Sequence, residues 1–130
     1  MTTYNFEPRF APLILSGAKF STIRRTAAVV GSTAHLFTGM RTKDCQRLGA
    51  HEIIACRPIM LGRKDNGQVS IKLGARQVSL SEMMAIALGD GFHTPAEMVS
   101  WFEKTYDIPT NYSGCAHDVF SGFQITWSAF

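Results

Sequence analysis

The run Glu52-Ile53-Ile54-Ala55-Cys56-Arg57-Pro58-Ile59-Met60-Leu61, followed by Asp65-Asn66-Gly67 and then by Val69-Ser70-Ile71-Lys72-Leu73, decides the fold class of this chain. The first run is rich in isoleucine and alternates weakly between apolar and polar residues, which reads as a long strand. Asn66-Gly67 suits the two positive-φ positions of a type I′ turn. Val69, Ile71 and Leu73 alternate with Ser70 and Lys72, as a returning strand should. A chain that turns back through so tight a loop pairs antiparallel, so the centre of the molecule is a hairpin and not a βαβ unit.

Working outward, Ala34-His35-Leu36-Phe37-Thr38 is a further strand closed by Gly39, and Phe123, Ile125 and Trp127 alternate with Gln124, Thr126 and Ser128 as a half-buried final strand. Lys19 to Arg25 carries β-branched Thr22 and Ile23 and reads as a short strand or an extended turn exit. A first helix is expected from Glu7 to Ser16, with Phe10, Leu13 and Ile14 at helical spacing, Pro8 in its first turn and Gly17 as its stop. Ser79-x-x-Glu82 and Thr94-Pro95-x-Glu97 are two capping boxes, opening helices near 80–88 and 95–106, with Gly89-Asp90-Gly91 breaking the first. Residues 107–121 read as loop. Strands outnumber helices and lack βαβ spacing. The expected fold is α+β: one domain over 1–130, a small, mostly antiparallel barrel flanked by helices.

The chain has 130 residues, 45% hydrophobic and 18% charged, with a formal net charge of +3. That is the balance of one globular domain able to enclose one core. No apolar run approaches the roughly 20 residues that span a bilayer, and Met1 to Glu7 has no basic start before an apolar stretch, so no membrane partner is expected and the default location is the cytoplasm. Cys45, Cys56 and Cys115 are odd in number and widely spaced, against a disulfide framework. Cys115-Ala116-His117 places two soft ligands together, yet the spacing matches no paired zinc motif, so neither a metal nor another cofactor is expected. His35, His51 and His93 have no partner at ligand spacing either.

The positive charge is clustered. Lys19, Arg24 and Arg25 lie close together, as do Arg41, Lys43 and Arg47, and clusters of this kind favour anionic partners. There is no Gly-rich phosphate loop, no H-E-x-x-H and no G-x-S-x-G. What stands out is Phe10-x₃-Ile14-Leu15-Ser16-Gly17-Ala18-Lys19-x-x-Thr22-Ile23-Arg24, then Gly39-Met40-Arg41-Thr42, then Asp90-Gly91-Phe92 before a Trp101-Phe102 helix, then Phe120-x-Gly122-x-x-Ile125-x-Trp127.

These four landmarks, in this order, resemble the ASCH domains, which are similar in fold to the PUA RNA-binding domains. Gly17-Ala18-Lys19-Phe20-Ser21-Thr22-Ile23-Arg24 looks like the family's G-x-K-x-x-T-x-R signature, and the likeness runs from about Phe6 to Trp127. The resemblance implies a β-barrel with a cleft and an association with RNA or nucleoside ligands. For some small bacterial members it implies hydrolysis of N4-acetylcytidine, with the lysine as proton acceptor, the threonine three residues on as nucleophile and a downstream glutamate as proton donor. Lys19 and Thr22 match the first two. The third position departs from the pattern: Asp90, one methylene shorter, stands near it. The chain is also longer than those hydrolases through Gly39–Gly49.

Elementary chemistry accommodates these roles. A threonine hydroxyl attacks only when a base takes its proton, and a lysine serves as that base when burial or neighbouring arginines lower its pKa. In a regular strand Lys19 and Thr22 would face opposite sides, so Lys19 has to sit in the turn after Gly17, outside the pleat. Against each role stands an ordinary one: Thr22 as a strand former, Lys19 as a solvated charge by a helix end, Asp90 as a turn residue, and Phe92, Trp101 and Trp127 as core instead of stacking platforms. The favoured reading is a binding module for RNA or a nucleoside-type ligand, with Arg24, Arg25 and Arg41 as ligand contacts. The alternatives are an amidohydrolase using Lys19, Thr22 and Asp90, a ribonuclease in the same cleft, which lacks the acidic ring of a two-metal site, and a purely structural domain.

Overall fold

One strand organises the molecule. In the computed structural model, which describes residues 2–106 and 117–128, Gln46–Arg63 (β4) runs without interruption through the middle of a seven-stranded sheet. It is longer at both ends than the strand expected over 52–61. Gly49, at which a helix would be unfavourable and a strand merely weakened, is carried inside it. Its first part pairs antiparallel with Thr33–Thr38 (β3), Thr33 opposite Glu52 and Thr38 opposite Gln46. Its second part pairs antiparallel with Val69–Leu73 (β5) on one side and with His117–Trp127 (β7) on the other. Arg76–Gln77 (β6) adds a short strand to β5, and Ser21–Arg24 (β2) pairs antiparallel with β7, Thr22 opposite Ile125. Residues 117–121, expected in a loop, belong to β7; the rest of that expected loop, 107–116, lies outside the described residues, as do Cys115 and the side chain of His117.

The parallel pair was not anticipated. Thr2–Phe6 (β1) lies beside β3 with Thr2 opposite Ala34 and Phe6 opposite Thr38. Tyr4 and Phe6 point inward from it, and the sheet is therefore mostly, not wholly, antiparallel. The first helix is shorter than expected: Pro8–Phe10 forms a single 3-10 turn and Ala11–Ser16 (α1) completes it. Pro8 and Pro12 both withhold an N–H, which limits regular helix to one and a half turns.

The central hairpin is present, but its turn differs from the expected type. Gly67 N–H donates to Lys64 O at 2.8 Å and Lys64 N–H to Gln68 O at 2.8 Å. Only Gly67, at φ 84°, is left-handed, because Asn66 keeps a negative φ. This is the three-residue loop that ends on a left-handed glycine, not the two-residue type I′ turn. Asn66 contributes through its side chain, whose Oδ1 accepts from Gln68 N–H at 3.0 Å.

Leu80–Gly89 (α2) and Pro95–Thr105 (α3) begin where the capping residues place them: Ser79 Oγ accepts from Glu82 N–H and Thr94 Oγ1 from Glu97 N–H. Glu82 turns outward to a bidentate pair with Arg76. Met98, Val99 and Phe102 of α3 are buried with Leu36, Ile53 and Ile125 of the sheet in one hydrophobic core. No helix among the described residues is long and apolar enough to cross a membrane.

Candidate functional site

Two chain reversals bring the landmarks together. Leu13 O accepts from Lys19 N–H at 2.9 Å, so the chain leaving α1 folds back before β2 begins. Lys19 therefore sits outside the strand, as a pairing with Thr22 demands. At the other reversal, α2 ends in a Schellman arrangement: Gly91 N–H donates to Leu88 O at 3.1 Å and Phe92 N–H to Ala87 O at 2.8 Å. Asp90 is the capping residue within it.

Lys19 and Asp90 meet in the interior, each only 3% exposed. Lys19 Nζ donates to Asp90 Oδ1 at 3.0 Å, to the Asp90 main-chain O, and to Ser21 O at 2.7 Å. Those acceptors use all three hydrogens of the ammonium. Its carbon stem and head lie against two rings, with Nζ 4.9 Å from the Phe10 centroid and 5.3 Å from that of Phe6. The ammonium also rests on the C-terminal end of α2, where a cation is favoured. The helix it complements is thus α2, not the preceding α1.

Thr22 and Arg24, two apart on β2, project to the same face. Arg24 Nε donates to Thr22 Oγ1 at 3.2 Å and Arg24 Nη2 to Asn5 O at 3.0 Å, while the guanidinium lies 5.1 Å from the ring centroids of both Tyr4 and Phe6. Lys19, Thr22, Arg24 and Asp90 all line one pocket of about 370 Å³, walled by Phe10, Phe92, Trp101 and Tyr106 and closed at one side by Met40 and Thr42. No direct hydrogen bond joins Lys19 to Thr22 among the described residues.

Burial pushes the Lys19 ammonium below its ordinary pKa, with Asp90 pulling it back up and Arg24 pushing it further down. Burial likewise pushes the Asp90 carboxyl up, against the pull of Lys19 and Arg24. The two shifts narrow the gap between amine and acid, so a proton passes from one to the other at smaller cost than in water. Arg24 is lowered by burial as well, although Asp90, Tyr4 and Tyr106 oppose this. Burial also raises the Tyr4 phenol.

Arg25 and Arg41 lie outside the pocket. Arg25 is exposed and stacks 4.6 Å from the Tyr106 centroid. Arg41 is exposed on the turn between β3 and β4 at φ 67°, next to two pocket residues, Met40 and Thr42. Phe92 and Trp101 stand in the pocket wall, whereas Trp127 is core, packed edge-on against Phe6. Three site residues were not read from sequence. Asn5 takes Arg24 on its carbonyl and Met40 N–H on its side chain at 3.0 Å; Glu7 accepts from Trp101 Nε1 at 3.3 Å; and Tyr106 stacks under Arg25. The period-two pattern of Tyr4 and Phe6 around Asn5 was the available signal for β1 and hence for Asn5. No cluster of three or more potential ligands for a metal ion occurs among the described residues; Cys45 is exposed and Cys56 half-buried.

Gly91 is where the site is most sensitive to a single methyl group. Its φ is 96°, and a Cβ there would come within 2.9 Å of Phe10 Cδ1 and 3.1 Å of Lys19 Cδ. Gly91→Ala is expected to destabilise by about 1–2 kcal/mol from the left-handed backbone and by about 1–3 kcal/mol more from overpacking. Urea denaturation measures the sum, and a variant as stable as wild type would mean that Lys19 is not held against this turn.

Comparison with known protein families, with curated proteins and with solved structures finds no match to this chain.

Proposed function

We propose that this chain is an ASCH-like domain on a PUA-like barrel that recognises RNA, or a modified nucleoside, in the basic pocket between β1, β2 and the end of α2. The observation that carries the reading is the meeting of Lys19, Thr22, Arg24 and Asp90, from segments far apart in sequence, in one aromatic-walled pocket. Its volume is at the small end of ligand sites, which run from about 300 to 1,000 Å³. That suits one nucleoside-sized group and not a folded partner. Aromatic walls suit a base, since base–aromatic stacking is tolerant of sequence and contributes about 1–3 kcal/mol per base. Arg25 and Arg41, exposed outside the pocket, are suited to phosphates of an attached strand, which Arg meets with a planar fork.

The test is titration of labelled single-stranded RNA at several salt concentrations. Log affinity is expected to fall with log salt by about 0.7 for each phosphate contact. Arg41→Ala is expected to weaken binding and to flatten that slope by about the same 0.7. Salt-independent binding, or curves that coincide for wild type and Arg41→Ala, would remove the phosphate role. Cytoplasmic location accords with this reading.

A second reading, hydrolysis of an N4-acylated cytidine, is favoured by one further observation: Lys19 is buried against a carboxyl that can hold its proton, with the Thr22 hydroxyl in the same pocket. Asp90 then combines two tasks, storing the Lys19 proton and later donating it.

A further inference from the structure

The wall of the pocket contains main-chain groups that face away from the one ladder their strand forms among the described residues. In the antiparallel ladder between β2 and β7, residues alternate between those that bond across the ladder and those whose N–H and C=O face the other way. Trp127 N–H donates to Phe20 O at 3.1 Å, opposite neighbours being Ser21–Thr126 and Thr22–Ile125. That bond places Phe20, Thr22 and Arg24 in the bonding set, and turns Ser21 and Ile23 outward from β7. Ser21 confirms the direction, because its carbonyl is the one Lys19 Nζ reaches.

Ile23 is the other outward residue. Its side chain belongs to the hydrophobic core, on the face opposite Thr22 and Arg24, and the residue also lines the pocket. Among the described residues β2 forms a ladder with β7 alone, and no hydrogen bond outside the strand ladders involves the Ile23 N–H or C=O. The residue is only 4% exposed. Buried main-chain groups are almost always paired, with the chain itself, with water or with a ligand. An adjacent donor and acceptor in one plane, beside aromatic walls, is the complement of a flat ring that carries an acceptor and a donor side by side.

We infer that the Ile23 N–H and C=O read the Watson–Crick edge of a nucleobase lying in this pocket, pairing with its adjacent ring-edge acceptor and donor. Thr22 adds a third contact. Its oxygen already accepts from Arg24 Nε, which leaves its O–H directed to an acceptor on the same ligand. This inference rests on the proposed nucleoside reading and specifies how such a ligand is held. It makes the base edge, not the sugar or phosphate, the group recognised inside the pocket.

The experiment titrates the protein with cytidine, uridine, adenosine and guanosine, and with neutral analogues blocked on the Watson–Crick edge: N4,N4-dimethylcytidine, 3-methyluridine, N6,N6-dimethyladenosine and 1-methylguanosine. The protein carries ¹⁵N-isoleucine so that the Ile23 amide is followed individually. For the tightest-binding parent, the blocked analogue is expected to bind on the order of tenfold or more weakly, because it leaves a buried main-chain group unpaired. The Ile23 amide is expected to exchange rapidly with solvent in the free protein and to gain protection on binding, unlike the Ile125 amide, which the ladder protects throughout. A blocked analogue that binds as well as its parent, or an Ile23 amide unaffected by a bound nucleoside, overturns the edge reading while leaving the nucleoside pocket in place. Failure of every parent nucleoside to bind overturns both.

Discussion

Asp90→Asn is expected to cost about 3–5 kcal/mol of stability, the range for breaking a buried ion pair from one side. The substitution keeps the size of the side chain and removes its charge, leaving the Lys19 ammonium in an interior that no longer supplies a counter-charge. The loss is expected toward the lower end, since Ser21 O and the main-chain O of residue 90 still accept from Nζ. Lys19→Met is expected to cost less. Arg24 still pulls on the Asp90 carboxylate when Lys19 is gone, so that charge keeps one favourable neighbour that the Lys19 ammonium lacks in Asp90→Asn. Denaturant unfolding of both variants gives the comparison. If Lys19→Met proves the more damaging, the carboxylate and not the ammonium is the costly member of the pair.

The pH dependence separates the two further, with opposite signs. In Asp90→Asn the folded pKa of Lys19 lies below its unfolded value of about 10.4. The unfolded chain then binds more protons, so stability relative to wild type rises as pH climbs from the folded value toward the unfolded one. In Lys19→Met the folded pKa of Asp90 lies above its unfolded value of about 3.9. Stability relative to wild type is then fully present below that unfolded value and is lost as pH rises through the folded one. Slopes of the same sign would mean that the groups do not titrate as a buried pair.

Which parts of this structure were legible in the sequence follows from how local their causes are. The starts of α2 and α3 depend on Ser79, Thr94 and Pro95, whose bonds reach only three residues along, and they fall where the capping boxes place them. The alternation of β5 and the end of β7 is a period-two pattern that survives in any sheet. β1 carries only the brief alternation of Tyr4 and Phe6 as a local signal, and its parallel partner lies some thirty residues away, a pairing that nothing local marks. The type of the central turn was missed because Asn-Gly serves two loop lengths, and the strand register chooses between them. At the site, Lys19, Thr22 and Arg24 were readable as one short motif. Asp90 was recognised only by its position in a resemblance, since its bond to Lys19 spans 71 residues. Arg25 and Arg41 were grouped with Arg24 by sequence proximity alone; the alternation of a strand and a left-handed turn residue place them outside the pocket. Ile23 is an ordinary core isoleucine by sequence, and the direction of its main-chain groups is decided by which set of the β2–β7 ladder it occupies.

On the hydrolase reading, the largest effect on turnover is expected from Thr22→Ala, which should reduce release of cytidine from N4-acetylcytidine to background while circular dichroism shows an intact fold. That reading implies an order of events. Lys19 Nζ first passes a proton to Asp90 across 3.0 Å, giving a neutral amine and a carboxylic acid. The amine then takes the Thr22 proton as Oγ1 attacks the acyl carbon, and the Asp90 acid gives its proton to N4 as the C–N bond breaks. Water completes the cycle by hydrolysing the Thr22 ester to carboxylate and free hydroxyl. Each step needs the unit to act together, so Lys19→Ala should match Thr22→Ala, and Asp90→Ala should lower the rate by about 10²–10⁴-fold as a lost proton transfer. Asp90→Glu is not expected to raise the rate, because the carboxylate already reaches Nζ and a further methylene has to be forced into a buried site. The rate should fall as pH rises through a value below that of a free lysine, because the pair then loses to solvent the proton that Asp90 has to deliver to N4. Turnover that survives Thr22→Ala would replace the threonine by a water activated by Lys19. No turnover by wild type across several acyl groups would end the hydrolase reading, and the pocket would then be one that binds its ligand with Lys19 held permanently as the charged clasp between Ser21 and Asp90.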